Sequence, residues 1–165
     1  MTISALTKSA DDTRELGAAL AGLVEPGDIV LLAGDLGAGK TTFTQGFGRA
    51  LGIETPITSP TFTLLRQYGE CVPPLLHADV YRIDELQEVV DLGLAELIDE
   101  GAVAVVEWGD MAAPVLGPNF LEVRIEFGGS GSGDDDERRF VLRPVGSRWV
   151  ARSAALGRAL GRWTA

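Results

Sequence analysis

Between Gly34 and Thr42 the chain reads GDLGAGKTT, and this stretch has the residue types needed to grip a polyphosphate. Gly34, Gly39, Lys40 and Thr41 satisfy the spacing G-x-x-x-x-G-K-[ST] position for position. The chemistry explains the pattern. A triphosphate is densely anionic and needs several donors converging on it. Backbone N–H groups converge only where the chain wraps closely, and side chains obstruct that wrap, so glycines at 34, 37 and 39 clear it. A helix starting near Lys40 aims free N–H groups and its positive dipole end at the same anion. Lys40 adds a full charge near the β- and γ-phosphates, and Thr41 offers its hydroxyl to Mg²⁺. Thr42 is placed for a second phosphate contact. Asp35, Leu36, Gly37, Ala38, Gly39, Lys40, Thr41 and Thr42 are thus the expected nucleotide-binding residues. The competing dinucleotide fingerprint fails, because Lys40, Thr41 and Thr42 follow Gly37-Ala38-Gly39 and the third glycine is missing.

Magnesium takes oxygen ligands, typically one or two carboxylates with phosphate and water. Two apolar runs end in a carboxylate: LLHAD at Asp79 and AVAVVE at Glu107. In parallel sheets ligands bind beyond the carboxyl ends of the strands, so both acids are candidates for that crevice. Glu107 ends the cleaner buried run and is assigned to Mg²⁺ together with Thr41, directly or through water, with a second role in positioning the attacking water. Asp79 is the second candidate for metal and water. Thr61, in Ser59-Pro60-Thr61-Phe62, occupies a loop that can sense a γ-phosphate as switch loops do, although an ordinary Pro-containing loop is the plainer reading. His77 reads as a strand residue rather than a catalytic base, and Trp108 as a core or lid aromatic. Arg82, Arg138 and Arg139 contact nucleotide or pair with acids, and spacing leaves that choice open.

The elements that position these residues follow from periodicity. Thr2 to Leu6 is a short strand candidate. Ser9 is an N-cap for a helix carrying Leu16, Ala19, Leu20 and Leu23 on one face, stopped by Pro26-Gly27. DIVLLA is a continuous apolar run, as expected of a strand buried on both faces of a parallel sheet. The glycine loop follows, then a helix closed by Gly52. Strands are expected in FTLLRQY, VPPLLHADVYR and AVAVVEW, and a helix broken near Gly93 between the last two. NFLEVRIEF and ERRFVLRPV alternate apolar and polar residues and read as an antiparallel hairpin. Its tip, residues 128–137, is rich in glycine and aspartate and reads as flexible. Residues 147–162 read as one basic amphipathic helix with arginines at 148, 152, 158 and 162. It either packs Trp149, Leu156 and Leu160 on the body or docks an acidic partner. The expected architecture is a single α/β domain over residues 1–165, a three-layer P-loop sandwich with a mixed, mostly parallel sheet and an antiparallel C-terminal hairpin.

The bulk of the chain narrows its partners. Its 165 residues carry a formal net charge of −10, which repels phosphate backbones and makes direct nucleic-acid binding, DNA included, a poor expectation. One cysteine and one histidine exclude an intrachain disulfide and a Cys/His zinc cluster. No apolar stretch reaches 18 residues, and no basic, then apolar leader opens the chain, so a cytoplasmic protein without membrane contact is expected. A guanine-reading N-K-x-D is absent, since the only asparagine, Asn119, precedes Phe120. A small-molecule kinase shares the loop and the size, but its usual arginine-rich lid is not visible. An ATPase that drives a partner through a cycle is the preferred class, with the kinase as alternative.

GDLGAGKTTF, SPTFTL, HADVYR and VVEWGD, in this order and at these distances, resemble the bacterial TsaE (YjeE) family over roughly Ser9 to Val141. The resemblance implies a Mg²⁺-dependent ATPase serving tRNA threonylcarbamoyladenosine (t6A) synthesis. It implies partners, TsaD and TsaB, that modify adenosine 37 of tRNAs reading codons beginning with A, with tRNA met only through that complex. By the same resemblance Lys40 and Thr41 bind phosphate and metal, Glu107 binds Mg²⁺, and Asp79 and Thr61 belong to the hydrolytic site. The resemblance also implies that residues near Ser9 and Ala10 approach the adenine and that Arg138 or Arg139 reaches the nucleotide. The linker and the C-terminal arginines lie outside the pattern.

Overall fold

The computed structural model describes residues 1–35, 37–60, 63–80, 86–107, 113–128 and 136–164. The run after Gly27 becomes strand β2 (Ile29–Gly34), and its neighbours show why it is apolar throughout. It pairs in parallel with β5 (Val103–Glu107) on one side and β6 (Phe120–Phe127) on the other. Val30 and Leu32 enter one apolar cluster, Ile29 and Leu31 the opposite one, so neither face meets water.

Among the described residues the sheet has seven strands in the order β1-β7-β6-β2-β5-β4-β3. Strand β4 (Leu75–Asp79) lies parallel to β5, while β3 (Leu65–Tyr68) runs antiparallel on its outer side. Strand β7 (Arg138–Val145) pairs antiparallel with β6 as the alternation predicts, and β1 (Ile3–Thr7) pairs antiparallel with β7 at the edge. The hairpin tip expected at 128–137 lies mostly outside the described residues. At its base the Gly128 N–H donates to the Glu137 carbonyl at 3.0 Å.

Helices cover both faces. On one, α1 (Ala10–Ala21) and α2 (Lys40–Ala50) press Leu16, Leu20, Phe43 and Phe47 onto the sheet, each fully buried. Burying one such side chain contributes about 1.5–3 kcal/mol. Ser9 caps α1 as expected, its hydroxyl accepting from the Asp12 N–H at 3.0 Å. The two helices cross backbone to backbone: a Cβ on Gly46 would lie 2.0 Å from the Arg14 carbonyl oxygen. On the other face α3 (Leu86–Asp91), α4 (Leu94–Asp99) and the single turn α5 (Ala113–Leu116) cover the second cluster. Gly93 breaks the segment at φ 75, in the left-handed region that favours glycine.

The C-terminal helix expected over 147–162 is a pair of short helices, α6 (Ser147–Val150) and α7 (Ser153–Ala159). The break falls at Arg152. Its guanidinium turns inward, bonding the buried Asp28 carboxylate at 2.5 and 2.8 Å and the Leu23 carbonyl at 2.9 Å. Its Nε donates to the Arg148 carbonyl at 3.2 Å, so the side chain serves a carbonyl of the preceding turn. Periodicity does not show this, because the arginine counts as surface in any hydropathy pattern. Trp149, Leu156 and Leu160 pack on the body, as the first of the two readings held.

Candidate functional site

The phosphate loop leaves the carboxyl end of β2 and enters α2. Gly37 and Gly39 both take left-handed backbone, φ 79 and φ 108, which a side chain would strain. Gly39 is the N-cap residue of α2, with no side chain to satisfy the first amides, and the first turn contains no acid. The N–H groups and positive end of that helix are therefore left for an external anion. Asp35 and Gly37 are exposed and Ala38 is buried, while Thr41 and Thr42 are half-buried on the first turn. Leu36, also expected to bind nucleotide, lies outside the described residues.

Lys40 sits under this loop and is buried. Its Nζ donates to the carbonyls of Gly34 at 2.7 Å and Asp35 at 3.1 Å, tying the start of the loop to the first residue of α2. Burial pulls the Lys40 ammonium below its ordinary range, against the attraction of Glu107, Asp79 and Asp35. Lys40 is thus a cation whose charge attracts both candidate carboxylates.

Those carboxylates end neighbouring parallel strands. Asp79 and Glu107 are register partners across β4 and β5, and Glu107 is also the register partner of Leu32 on β2. They are 6% and 2% exposed, values that acids rarely reach without a charged partner or a metal. Side chains alternate along a strand, so Leu75, His77 and Asp79 share the face that α2 covers. Thr61 lies outside the described residues; Leu64, three positions on in sequence, lies beside Asp79. The Leu64 carbonyl accepts from the Asp79 N–H at 2.8 Å, and Leu64 itself holds φ 64. A bulky residue in that region is strained, and such strain gathers at functional sites.

Three contacts were not legible in the residue spacing, although the resemblance already brought Arg138 or Arg139 towards the nucleotide. The fully buried His77 is a strand residue, as expected, but its Nε2 lies 2.9 Å from Glu107 Oε1. The HxD spacing in β4 was the available signal, since residues two apart share a face. Arg138 reaches the phosphate loop, its Nε donating to the Ala38 carbonyl at 3.0 Å while its guanidinium lies 4.7 Å from the Phe127 ring centroid. Arg139 is exposed, opposite Leu6 and Glu126. The Thr13 hydroxyl bonds that of Thr7 at 2.8 Å, while its methyl would lie 4.0 Å from a Cβ on Gly39, so the start of α1 adjoins the loop. The Ser9 hydroxyl is occupied with capping. Arg82 and Trp108 lie outside the described residues.

A cavity of about 630 Å³ opens elsewhere, between α1, α2 and the segment after α2, lined by Arg14, Gln45, Arg49, Ile53 and Pro56 among others. It shares no residue with the phosphate loop. Among the described residues no three His, Cys, Asp or Glu side chains form a metal cluster, and no helix is long and apolar enough to cross a membrane. A cation here needs oxygens beyond the two carboxylates, and the Thr41 hydroxyl at the start of α2 is a further donor of the hard type that Mg²⁺ takes.

Residues 7–138, the span that carries this loop and both carboxylates, match the family model described as "Threonylcarbamoyl adenosine biosynthesis protein TsaE". The chain belongs to the TsaE family. The Bacillus subtilis tRNA threonylcarbamoyladenosine biosynthesis protein TsaE is 40% identical over 152 residues, 92% of each chain. The Streptomyces coelicolor protein of the same name is 40% identical over 146 residues, 87% of this chain and 97% of that protein. The crystal structure of Bacillus subtilis YdiB superposes with a TM-score of 0.77 at 35% identity, covering 96% of this chain and 95% of that one. The α/β P-loop-like fold expected of a TsaE chain is the fold observed.

Proposed function

We propose that this TsaE chain binds ATP with Mg²⁺ and hydrolyses it slowly, and that the hydrolysis supports a TsaB–TsaD pair in forming threonylcarbamoyladenosine at position 37 of tRNA. The single observation that carries the nucleotide reading is the burial of Asp79 and Glu107 beside Lys40, at the foot of a helix whose first turn has no cap. Burying two acids and an ammonium costs several kcal/mol per ion unless they are paired, and the loop's geometry supplies a use for them.

The donor set fits the ligand. The amides from Gly37 to Thr42 and the Lys40 ammonium hold the phosphates. Thr41 and Glu107 would hold the metal, which when bound would neutralise phosphate charge. Asp79 or Glu107 orients the water whose oxygen attacks the γ-phosphorus; the water gives up a proton to the phosphate formed or to solvent, and the bond to the β–γ bridging oxygen breaks to leave ADP. Arg138, fastened to Ala38, keeps a second positive charge against the loop.

The t6A role rests on the family to which the chain belongs. Its acidity is compatible with tRNA being held mainly by partners, and the reading places it in the cytoplasm. An ATPase assay with and without purified TsaB and TsaD tests it. Slow turnover alone and a changed rate with the pair are expected. Phosphate release that requires a small acceptor molecule would make the chain a kinase instead.

A further inference from the structure

We propose that His77 is a positioning residue for Glu107, holding one carboxylate oxygen so that the other is presented to the metal and water of the phosphate-loop site. The inference rests on the ATP reading above and gives a role to a residue that neither the phosphate-loop motif nor the family description assigns.

His77 has no freedom to act otherwise. It is fully buried in the middle of β4, between Arg66 of β3 and Val105 of β5 in the ladder. Its Nε2 lies 2.9 Å from Glu107 Oε1. A carboxylate only accepts, so the hydrogen sits on Nε2. The other ring nitrogen, Nδ1, is buried with no partner among the described residues. A hydrogen there would be an N–H with no acceptor among the described residues, at about 1–3 kcal/mol, so the tautomer with only Nε2 protonated is the favourable one.

That tautomer suits the task. A neutral donor fixes the direction of the Glu107 carboxylate without cancelling its charge, which a divalent cation needs. An arginine in the same place would fix the geometry and neutralise the ligand at once. Asp79, two residues along the same face, is the direct cross-strand neighbour of Glu107, and His77 is its diagonal one. The two side chains of β4 therefore bracket Glu107. Outer partners of this kind orient metal ligands elsewhere, and their loss weakens metal affinity or activity by about 10–100-fold.

His77 is the chain's only histidine, so its imidazole can be read directly. Tag-free protein carrying ¹⁵N-histidine is expected to show, by NMR, a hydrogen on Nε2 and none on Nδ1, with the Nε2 signal displaced by Glu107→Gln. In parallel, binding of a non-hydrolysable ATP analogue is titrated with Mg²⁺ in the wild type and in H77L, H77Q, E107Q and H77L/E107Q. H77L raises the Mg²⁺ midpoint about 10-fold, H77Q restores most of that through its own N–H, and H77L adds nothing once Glu107 is glutamine. A hydrogen on Nδ1, an unchanged midpoint in H77L, or an undiminished H77L effect in the E107Q background overturns the proposal. If H77L does not fold, the H77Q titration and the NMR signal decide alone: an Nε2 signal indifferent to Glu107→Gln counts against it. Wild-type protein that binds the analogue without regard to Mg²⁺, or an E107Q midpoint equal to wild type, overturns the metal reading itself, whatever the tautomer.

Discussion

Asp79 and Glu107 are direct register partners at the ends of β4 and β5, and the charge of Lys40 attracts both. Two buried acids at adjacent strand ends repel. The fold tolerates them because α2 begins with a lysine rather than an apolar residue at that point. The same arrangement draws a loop of main-chain amides, a helix terminus and two oxygen ligands to one place, which is the requirement for holding a metal-complexed polyphosphate.

Lys40→Ala is expected to abolish hydrolysis nearly completely, by about 100-fold or more, because removing one preorganised charge from a buried site costs that much. Phosphate release at saturating ATP measures it. A rate near wild type would remove Lys40 from the account.

Glu107→Gln keeps the size of the side chain and removes its charge. Nucleotide affinity by calorimetry should stay within about threefold, since the main-chain amides are untouched. Turnover should fall by about 100-fold, in the range typical for loss of an acid–base or metal-holding group. Unchanged turnover and unchanged Mg²⁺ dependence together would make Glu107 a bystander.

The parts of this design that were legible in the sequence are those that one strand or one loop specifies alone. DIVLLA announces a strand dry on both faces, and LLHAD and AVAVVE announce strands that end in acids. Apart from the β6–β7 hairpin, what could not be read is which strands become neighbours. The placement of β6 beside β2 and of β1 at the edge depends on long-range pairing that leaves no periodic trace. Side chains that act against the average behaviour of their type were also hidden. Arg152 is an arginine turned into the body, and it splits what reads as a continuous helix. Arg138 reaches Ala38 across 100 residues of sequence, a contact no local pattern encodes.

Arg152→Met tests that inward arginine. It leaves Asp28, 2% exposed, without its main cation, though Arg148 lies 3.4 Å away and the Glu25 amide still donates to it. Breaking one side of a buried pair costs about 3–5 kcal/mol, and the remaining donors place the expectation at the lower end. For a chain of this size that lowers Tm by roughly 6–12 °C. A calorimetric shift under 2 °C would show that Arg148 takes over the role.

Asp12 fastens the end of the chain to the start of α1. Burial pushes its carboxyl up, but bonds from Trp163 Nε1, the Lys8 amide and Arg162 outweigh this and hold it below the usual carboxylate range. A lowered folded-state pKa gives stability that is fully present above the unfolded value, about 3.9, and is lost as pH falls through the lower folded value. Asp12→Asn should therefore be less stable than wild type at neutral pH, and the gap should close as pH drops below about 4. Urea melts at pH 7 and pH 3 measure this. A gap that widens in acid would reverse the sign and refute it.

The central claim, that the loop from Gly34 to Thr42 is a polyphosphate cradle closed by Lys40 and a metal held by Thr41 and Glu107, is tested most directly by a crystal structure with a non-hydrolysable ATP analogue and Mg²⁺. The account predicts the β- and γ-phosphates within hydrogen-bond distance of the amides from Gly37 to Thr42, and the cation between the Thr41 hydroxyl and Glu107. An analogue seated in the cavity between α1 and α2, with the loop untouched, would contradict it.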